Sequence, residues 1–550
     1  MKPFRNFLPA DARRTARCAA TLFCLLLPLL IADRLAFMFC LHGPILVKCR
    51  VTLFLAIETS MVGLVPLLLF GRPARFFYAI AMPLEFAFIC VEWFASVNFD
   101  MVISGSWVGT FLTSSPEEIR SFLALYCSPL SCVALVAIAL VCVGLVQAAL
   151  RCTRNATASW LTRLAAVGIC LVWLGVNLLS KYTFVERTGS FPALALLPDS
   201  VRQFSQQRAL ARMATSPHLP STIQNAEAED ASAVGVFVLG ESATRSRWSL
   251  YGYARQTTPE LDKIRDELTV FGDLVTTASY TSDAMRDIFT TRTLERADDL
   301  RFSLPQALRA CGRTPALYTS HRRWDFWDSD ETRAFAGCDP FVCLAEQNVT
   351  NDLDGAALAI LKKRLVESSG GAVVFLHLYG SHIDFVNYPS DRAPFGRAAG
   401  VVPKTAPRGD RYDDTIWYTD AILGEVVRSL KALRRPAWMI YLSDHGETPA
   451  AERWRVATVN DLWEVPFVVW TSPEFNAQHP ERVAALRRAK DRPLQSDQLF
   501  YGLLRFMGVE GLGNAPEDDF LDDAFKPRSP RLILNGSRQY EKSAKTKDQL

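Results

Sequence analysis

The sequence has very little net charge. Its 60 lysine and arginine residues nearly balance 57 aspartate and glutamate residues, which leaves a formal net charge of +3. A strong basic excess is the electrostatic sign of a protein that binds nucleic acid. The charge therefore does not suggest a nucleic-acid partner. The sequence also contains no visible internal repeat.

Cysteine and long apolar runs are scarce after residue 185. Ten of the 13 cysteines lie before that point, where the thiol behaves as a small hydrophobic group. The other three are Cys311, Cys338 and Cys343, and their spacing is not that of a zinc finger. In an oxidising compartment either a Cys338–Cys343 or a Cys311–Cys338 disulfide can form, and one of the three thiols stays unpaired in both cases.

Five apolar runs precede residue 185, and each is close to the ~20 residues that a bilayer-crossing helix needs. They cover residues 17–40, 51–70, 76–97, 122–149 and 163–182. The first run follows a basic segment, as in a signal peptide, but no small-residue cleavage site stands out after it. We therefore predict a retained membrane anchor.

Basic residues fall before the first run, between the second and third, and between the fourth and fifth. Such loops favour the cytoplasmic side. Five crossings would then deliver the rest of the chain to the opposite face, which is the periplasm in a bacterium-like cell.

Continuous apolar strands alternate with amphipathic helices after a polar connector. The predicted strands are Val234–Leu239, Pro315–Thr319, Val373–Leu378, Trp438–Leu442 and Pro466–Trp470. The predicted helices cover residues 259–267, 304–311, 355–367 and 413–433. Strands that are apolar on both faces are typical of a mainly parallel sheet covered by helices on both sides.

We therefore predict four segments. They are a transmembrane domain of five helices over 1–185, an interfacial connector and linker over 186–230, a catalytic α/β domain over 231–525 and a basic tail over 526–550. The tail is most simply a solvated extension. It contains "NGS", one of three matches to the glycosylation pattern, which is common by chance.

Acidic and imidazole side chains follow three of the predicted strands. Glu241 follows the first strand, Asp444 and His445 follow the fourth, and the third carries His377 near its end and His382 beyond it. Ligands of such sheets bind beyond the carboxyl ends of the strands. A mixed set of carboxylate and imidazole groups suits zinc or manganese, so the joint placement predicts a metal site.

A hydroxyl-rich segment, "LVTTASYTSDAMRDIFTTRT", lies between the first and second predicted strands. Thr281 heads a helix-like stretch, where a hydroxyl often serves only as a helix cap. Beside a divalent cation, the same hydroxyl would lose its proton near neutral pH and become a nucleophile. The residues alone leave Thr277, Ser279 and Ser282 as alternatives to Thr281.

Four motifs resemble those of the bacterial phosphoethanolamine transferases, which are inner-membrane enzymes of the alkaline phosphatase and sulfatase superfamily. In chain order they read "VLGESATRSRWSLYGYARQTTPEL", "SYTSDAM", "HLYGSHID" and "YLSDHGE". The resemblance extends over essentially the whole chain and is closer to the branch that modifies the lipopolysaccharide core than to the colistin-resistance branch. It implies an alkaline-phosphatase-like periplasmic domain that transfers phosphoethanolamine from phosphatidylethanolamine to lipopolysaccharide, at a core sugar or at lipid A.

The resemblance also implies roles for the residues at the matching positions. Glu241, Thr281, Asp444 and His445 correspond to ligands of zinc, which the resemblance favours over manganese. Thr281 also corresponds to the nucleophile, which carries the phosphoethanolamine in a phospho-threonine intermediate. His382 corresponds to a histidine that contacts the phosphoryl group or protonates the leaving oxygen, and Glu447 would orient His445.

Two departures from the family pattern stand out. The segment "TPAAERWRVATVNDLWEVPF", which follows the "DHGE" motif, contains no histidine, and Asp461 or Glu464 occupies the region where relatives carry one. The segment "YTSHRRWDFW" has His321 and Arg322 where relatives often carry Asn or Gln. These two residues are candidates for phosphate binding, although consecutive arginines are as often a solvated turn.

A metal-dependent phosphodiesterase is the main alternative function, because water can replace the acceptor. The others are glycerophosphoryl transfer from a different donor, transfer to another periplasmic acceptor such as a glucan, and a non-catalytic membrane scaffold. A sulfatase is disfavoured, because the "CDPFV" and "CSPLS" segments carry no arginine at the last position of the C-x-P-x-R pattern.

Overall fold

The computed structural model divides the chain into two compact units, Met1–Gln203 and Phe204–Leu550. It describes residues 10–40, 61, 63–99, 129–179, 212–213, 216–227, 232–297, 299–321, 334–346, 352–367, 371–382, 385, 388–398, 406–449, 460–536 and 538–542. Helices and strands are numbered separately below, in chain order. The boundaries of the four predicted segments stay predictions.

The described part of the first unit is helical. Its helices are α1 (Ala10–Cys40), α2 (Val65–Phe70), α3 (Ala74–Phe99), α4 (Pro129–Thr153) and α5 (Trp160–Leu179). Leu22, Leu67 and Tyr78 belong to its buried core. Within the described residues, none of the helices combines the length and the apolar character that a membrane crossing requires. Residues 51–60, 62, 122–128 and 180–182 of the predicted runs lie outside the described part, and the count of five crossings stays a prediction.

The second unit is an α/β fold. Its strands are β1 (Gln224–Asn225), β2 (Val234–Gly240), β3 (Leu268–Phe271), β4 (Leu274–Val275), β5 (Thr314–Thr319), β6 (Phe341–Cys343), β7 (Ala372–His377), β8 (Ala437–Ser443), β9 (Phe467–Thr471), β10 (Leu494–Gln495), β11 (Val509–Glu510), β12 (Leu532–Ile533) and β13 (Arg538–Gln539). Its helices are α6 (Pro259–Lys263), α7 (Thr281–Phe289), α8 (Leu304–Ala310), α9 (Leu353–Glu367), α10 (Pro394–Ala398), α11 (Arg408–Ala432), α12 (Pro473–Gln478), α13 (Pro480–Ala489) and α14 (Phe500–Phe506).

Seven strands form the main sheet, in the order β3-β9-β8-β2-β7-β5-β6. The five strands from β8 to β6 run parallel to one another, whereas β9 runs antiparallel to both of its neighbours. The sheet is therefore mixed, because β9 is reversed beside five parallel strands. An apolar run does not encode the direction of its strand, so this reversal could not be predicted.

Helices cover both faces of the sheet, as predicted. Side chains alternate along a strand, so Phe237 and Leu239 of β2 join one buried cluster, together with Ile288 of α7. Val236 and Val238 of the same strand join the other cluster, which α11 completes. Because both faces are buried, polar side chains on these strands concentrate beyond the strand ends.

The register of the central strands sets the geometry of the site. Gly240, the last residue of β2, pairs with Ser443, the last residue of β8. The next residue on each strand is acidic, and the two strands are parallel neighbours. Gly240 itself has no room for a side chain, because a Cβ there would lie 2.2 Å from the hydroxyl oxygen of Tyr441.

Two sequence expectations for the second unit differ from the structure. Cys338 is a free thiol in the described part of the chain, and both disulfides considered above would include it, so neither is formed. The predicted solvated tail, which is described as far as residue 542, instead folds back as a hairpin of β12 and β13. Such short strands give no recognisable alternation in the sequence.

Candidate metal centre

Two carboxylates meet at the carboxyl edge of the sheet. Glu241 follows β2 and Asp444 follows β8, and they are 1% and 0% exposed. Burying two acidic groups side by side is costly unless they are hydrogen-bonded or share a cation.

Ser242 lies between these two carboxylates and contacts both. Its main-chain N–H donates to Asp444 Oδ1 at 3.0 Å, and its hydroxyl donates to Glu241 Oε1 at 2.6 Å. The residue adopts φ 57°, which lies in the left-handed region that residues other than glycine rarely adopt. Tyr412 of α11 donates its hydroxyl to the Ser242 carbonyl at 2.7 Å and so helps to hold this conformation.

His445 completes a group of three potential ligands, which we call the metal group: Glu241, Asp444 and His445. Its Nε2 lies 3.5 Å from Glu241 Oε1 and 3.3 Å from Asp444 Oδ2. Its Nδ1 lies 2.9 Å from the carbonyl oxygen of Gly446. A proton on Nδ1 would satisfy that contact and leave the lone pair of Nε2 directed toward the carboxylates.

The metal group fits a divalent cation. Asp444 Oδ2 is buried and has no hydrogen-bond partner within the described part of the chain, whereas Oδ1 accepts the N–H groups of Ser242 and His445. One oxygen is thus held by donors and the other is left to coordinate. Two carboxylates and one imidazole form the mixed oxygen and nitrogen set that zinc accepts, with room in a four-coordinate site for one further oxygen.

Thr281 brings a hydroxyl oxygen into contact with the metal group. It is the first residue of α7, and its hydroxyl donates to Glu241 Oε2 at 3.0 Å. The competing hydroxyl of Thr277 donates instead to Asp287 Oδ2 at 2.7 Å, in the interior. The hydroxyl of Thr281 thus contacts the metal group, whereas the hydroxyl of Thr277 points away from it.

A cluster of imidazoles lies beside Glu241, and we call it the histidine stack: His321, His377 and His382 with Tyr379. The rings of His321 and His377 stack with centroids 4.2 Å apart, and the His382 ring stands edge-on to His321 at 5.9 Å. Burial, together with the two neighbouring imidazoles, holds the pKa of His377 well below its usual value. His377 therefore contributes an uncharged imidazole ring to the stack.

Glu241, His321 and His377 also lie close enough to suggest a second metal group. The stacked rings argue against it, because their planes are inclined by only 16°. The lone pairs of ring nitrogens lie in the ring planes, so two nearly parallel rings cannot both direct one at the same ion.

The remaining candidates have separate surroundings. Glu447 is buried, accepts the N–H of Thr448 at 2.7 Å and lies 3.9 Å from Arg408 Nη2. Asp461 accepts the Ser246 hydroxyl at 2.6 Å, and burial raises the pKa of its carboxyl. Glu464 forms an ion pair with Arg245, and Arg322 lies outside the described residues. Glu464 thus has a structural partner.

Sequence reasoning missed Ser242 and Tyr412. Ser242 stands inside the quoted "LGES" motif, but its left-handed backbone depends on contacts with β8 and α11. The serine next to an acidic strand end was the only sequence signal available.

Residues 234–509 match the model of the Sulfatase family. The chain belongs to the sulfatase family. That span runs from the first residue of β2 to β11 and so includes the whole metal group. Membership in the sulfatase family fits the mixed sheet with acidic residues at its carboxyl edge.

One curated relative is the phosphoethanolamine transferase EptC of Escherichia coli O18:K1:H7 (strain RS218 / NMEC). The two chains are 27% identical over 330 residues, which cover 56% of each. This chain therefore spans little more than half the length of the curated relatives that it matches. The relative bears the name that the four motifs predicted.

Two solved structures show the same fold. The periplasmic domain of EptC from Escherichia coli in complex with zinc has a TM-score of 0.50 and 24% identity, and covers 60% of this chain and 95% of its own. The integral membrane protein EptA from Neisseria meningitidis, a lipooligosaccharide phosphoethanolamine transferase, has a TM-score of 0.63 and 19% identity, and covers 94% of this chain and 99% of its own.

Proposed function

We propose that this chain is a zinc-dependent phosphoethanolamine transferase. The donor is phosphatidylethanolamine, and the acceptor is lipopolysaccharide, at a core sugar or at lipid A. The observation that carries the proposal is the contact of the Thr281 hydroxyl with Glu241, within a buried group that also contains Asp444 and His445. Relatives named phosphoethanolamine transferase, and a related domain crystallised with zinc, support the same chemistry here.

Glu241, Asp444, His445 and Thr281 would hold the zinc ion. When bound, zinc supplies Lewis acidity, which lowers the pKa of a hydroxyl and neutralises charge on phosphoryl oxygens. Glu447 supports this set from the loop that carries His445, through its hydrogen bond with Thr448.

In the first half-reaction, the Thr281 oxygen attacks the phosphorus of phosphatidylethanolamine. Its proton has an acceptor in place, because the hydroxyl already donates to Glu241 Oε2 at 3.0 Å. The bond from phosphorus to the diacylglycerol oxygen breaks, and His382 gives that oxygen a proton. Phosphoethanolamine is left on Thr281, and diacylglycerol departs.

In the second half-reaction, an acceptor hydroxyl or phosphate attacks the same phosphorus. His382, now without its proton, takes the proton of an attacking hydroxyl, in the reverse of its first role. The bond to the Thr281 oxygen breaks, and that oxygen recovers a proton. His321, Arg322 and His382 bind the phosphoryl oxygens in both steps.

The proposed placement is a multi-pass protein of the bacterial inner membrane with its catalytic domain in the periplasm. The basic loops and apolar runs before residue 185 support it, as does the membrane setting that the name of the Neisseria structure gives. Donor and acceptor are both lipids, so a membrane anchor brings the enzyme to them.

Replacing Thr281 tests the proposal directly. With Thr281→Ala, transfer of labelled phosphoethanolamine from phosphatidylethanolamine to lipopolysaccharide should be lost, because no oxygen remains to carry the group. Thr281→Ser is the matched control, since it keeps the hydroxyl and should retain a measurable part of the transfer. The products are read by mass spectrometry of lipopolysaccharide.

The same assay separates the alternatives. Transfer that persists in Thr281→Ala would overturn the role of this residue. Wild-type protein that releases free phosphoethanolamine but leaves lipopolysaccharide unchanged would indicate a phosphodiesterase, and label in a glucan fraction would indicate another acceptor.

A further inference from the structure

The C-terminal hairpin is bound to the domain at both of its strands. Arg531 Nη1 donates to Asp273 Oδ1 at 2.7 Å, and the Leu532 N–H donates to Gln495 Oε1 at 2.8 Å. Tyr540, which directly follows β13, donates its hydroxyl to Glu464 Oε1 at 2.5 Å. Ile533 and Tyr540 are both buried. These contacts fix the turn between β12 and β13 in space.

Asn535 stands at that turn and contacts both sides of the segment that carries Thr281. Its N–H donates to the carbonyl oxygen of Thr277 at 2.9 Å. Its side-chain amide donates to Asp283 Oδ2, also at 2.9 Å. Thr277 precedes Thr281 and Asp283 follows it, so the two hydrogen bonds span the residue that is proposed to react.

The conformation of the turn permits both contacts. Asn535 has φ 54° and Gly536 has φ 90°, so the chain reverses through the left-handed region. Asparagine tolerates that region better than most residues with a side chain. The "NGS" pattern that begins at Asn535 is thereby accounted for by a backbone requirement and a hydrogen bond.

Asp283 transmits the contact to the first turn of α7. Its other oxygen, Oδ1, lies 2.7 Å from Arg286 Nη1 one turn later, with both side chains almost fully buried. The Asp283 carboxylate is therefore held from two sides, by Arg286 within the helix and by Asn535 from outside it. A shift of this carboxylate would move the start of α7, where Thr281 lies.

We propose that Asn535 is a positioning residue for the transfer reaction, which holds the Thr281 segment at the metal group through Thr277 and Asp283. The inference rests on the proposed function of Thr281. It adds the C-terminal hairpin, which lies outside the 234–509 family match, to the parts of the chain that the chemistry needs.

The test is Asn535→Gly in the full-length protein. Glycine keeps the left-handed backbone and the N–H to Thr277, so this variant removes only the amide that bonds Asp283. We expect kcat to fall by about tenfold with KM unchanged, because small misplacements of a reacting group are expensive. Bound zinc should stay at the wild-type level, since Asn535 contacts no member of the metal group. Gln539→Ala, an exposed position of the same hairpin, is the control and should behave as wild type.

An exchange of the two partners distinguishes positioning from general stability. Asp283→Asn and Asn535→Asp should each lower kcat, the second by placing two carboxylates together. The double variant restores one donor and one acceptor, and it should recover most of the lost kcat. Wild-type kcat in Asn535→Gly, or a double variant no better than the worse single variant at an equal melting temperature, would overturn the inference. Wild-type protein without any transfer activity would instead overturn the proposed function.

Discussion

The metal group and the histidine stack border the same space but are held by different kinds of contact. In the metal group, the polar atoms are fixed by donors from the strand ends, such as the Ser242 N–H on Asp444 and the Ser242 hydroxyl on Glu241. In the histidine stack, ring contacts add to contacts with uncharged groups: His377 Nδ1 lies 3.1 Å from Thr319 Oγ1, and His321 Nε2 lies 3.1 Å from the carbonyl oxygen of Leu378. The first side thus presents carboxylates, and the second presents imidazole rings. The first side is therefore suited to hold a cation, and the second to form hydrogen bonds with a substrate.

The largest expected effect follows from removing a member of the metal group. Asp444→Asn keeps the size of the side chain but removes its charge. Bound zinc and transfer activity should both fall by more than about a hundredfold, because replacing even a residue that only supports a metal ligand lowers metal affinity or activity by about 10- to 100-fold. Metal analysis of the purified protein and the lipopolysaccharide assay measure the two quantities.

Asp461→Asn is the matched control for Asp444→Asn. Its carboxylate accepts the hydroxyl of Ser246 and belongs to neither group defined above. The variant should keep its zinc. A loss of zinc as severe as that of Asp444→Asn would show that Asp461 takes the place of the histidine that relatives carry.

A smaller effect is expected from Ser242→Gly. Glycine retains the main-chain N–H to Asp444 and adopts φ 57° without strain, so only the hydroxyl on Glu241 is removed. Zinc affinity, measured by competition with a chelator, should fall by about tenfold.

Ser242→Ala removes the same hydroxyl but retains a Cβ in the left-handed region. It should match Ser242→Gly in zinc affinity and be less stable by about 1 kcal/mol, because alanine is strained at this φ. Wild-type zinc affinity in both variants would mean that the hydroxyl does not help to hold Glu241.

The smallest effect is expected on the other side, from His321→Asn. Asparagine keeps a side chain that can form a hydrogen bond, and one hydrogen bond contributes about 0.5–1.5 kcal/mol. The KM for phosphatidylethanolamine should rise by less than about tenfold, and bound zinc should not change. A loss of zinc would contradict the division between the two sides and would favour His321 as a ligand.

The parts of the fold that the sequence predicted are those that burial alone decides. All five predicted strands are present within one residue at each end, because a strand buried on both faces must be apolar throughout. The reversed direction of β9 and the short strands β3 and β6 were missed. Direction and pairing depend on neighbours that a local pattern does not contain.

The candidate site divides in the same way. Glu241, Asp444 and His445 were found because they follow long apolar strands, and their roles stay predictions. Ser242 and Asn535 were not found, since their left-handed backbones and their partners come from distant segments. Asn535 is separated from Asp283 by 252 positions along the chain.

The pairing of Gly240 with Ser443 has a consequence for how an ion would be taken up. The two acidic residues leave adjacent strands at the same level, so their separation is a property of the interstrand ladder. In a small zinc finger, by contrast, the ion itself organises the chain. Here the two carboxylates follow strands that a backbone hydrogen-bond ladder holds together, so loading and exchange of the ion would need no refolding of these strands and would cost little conformational entropy.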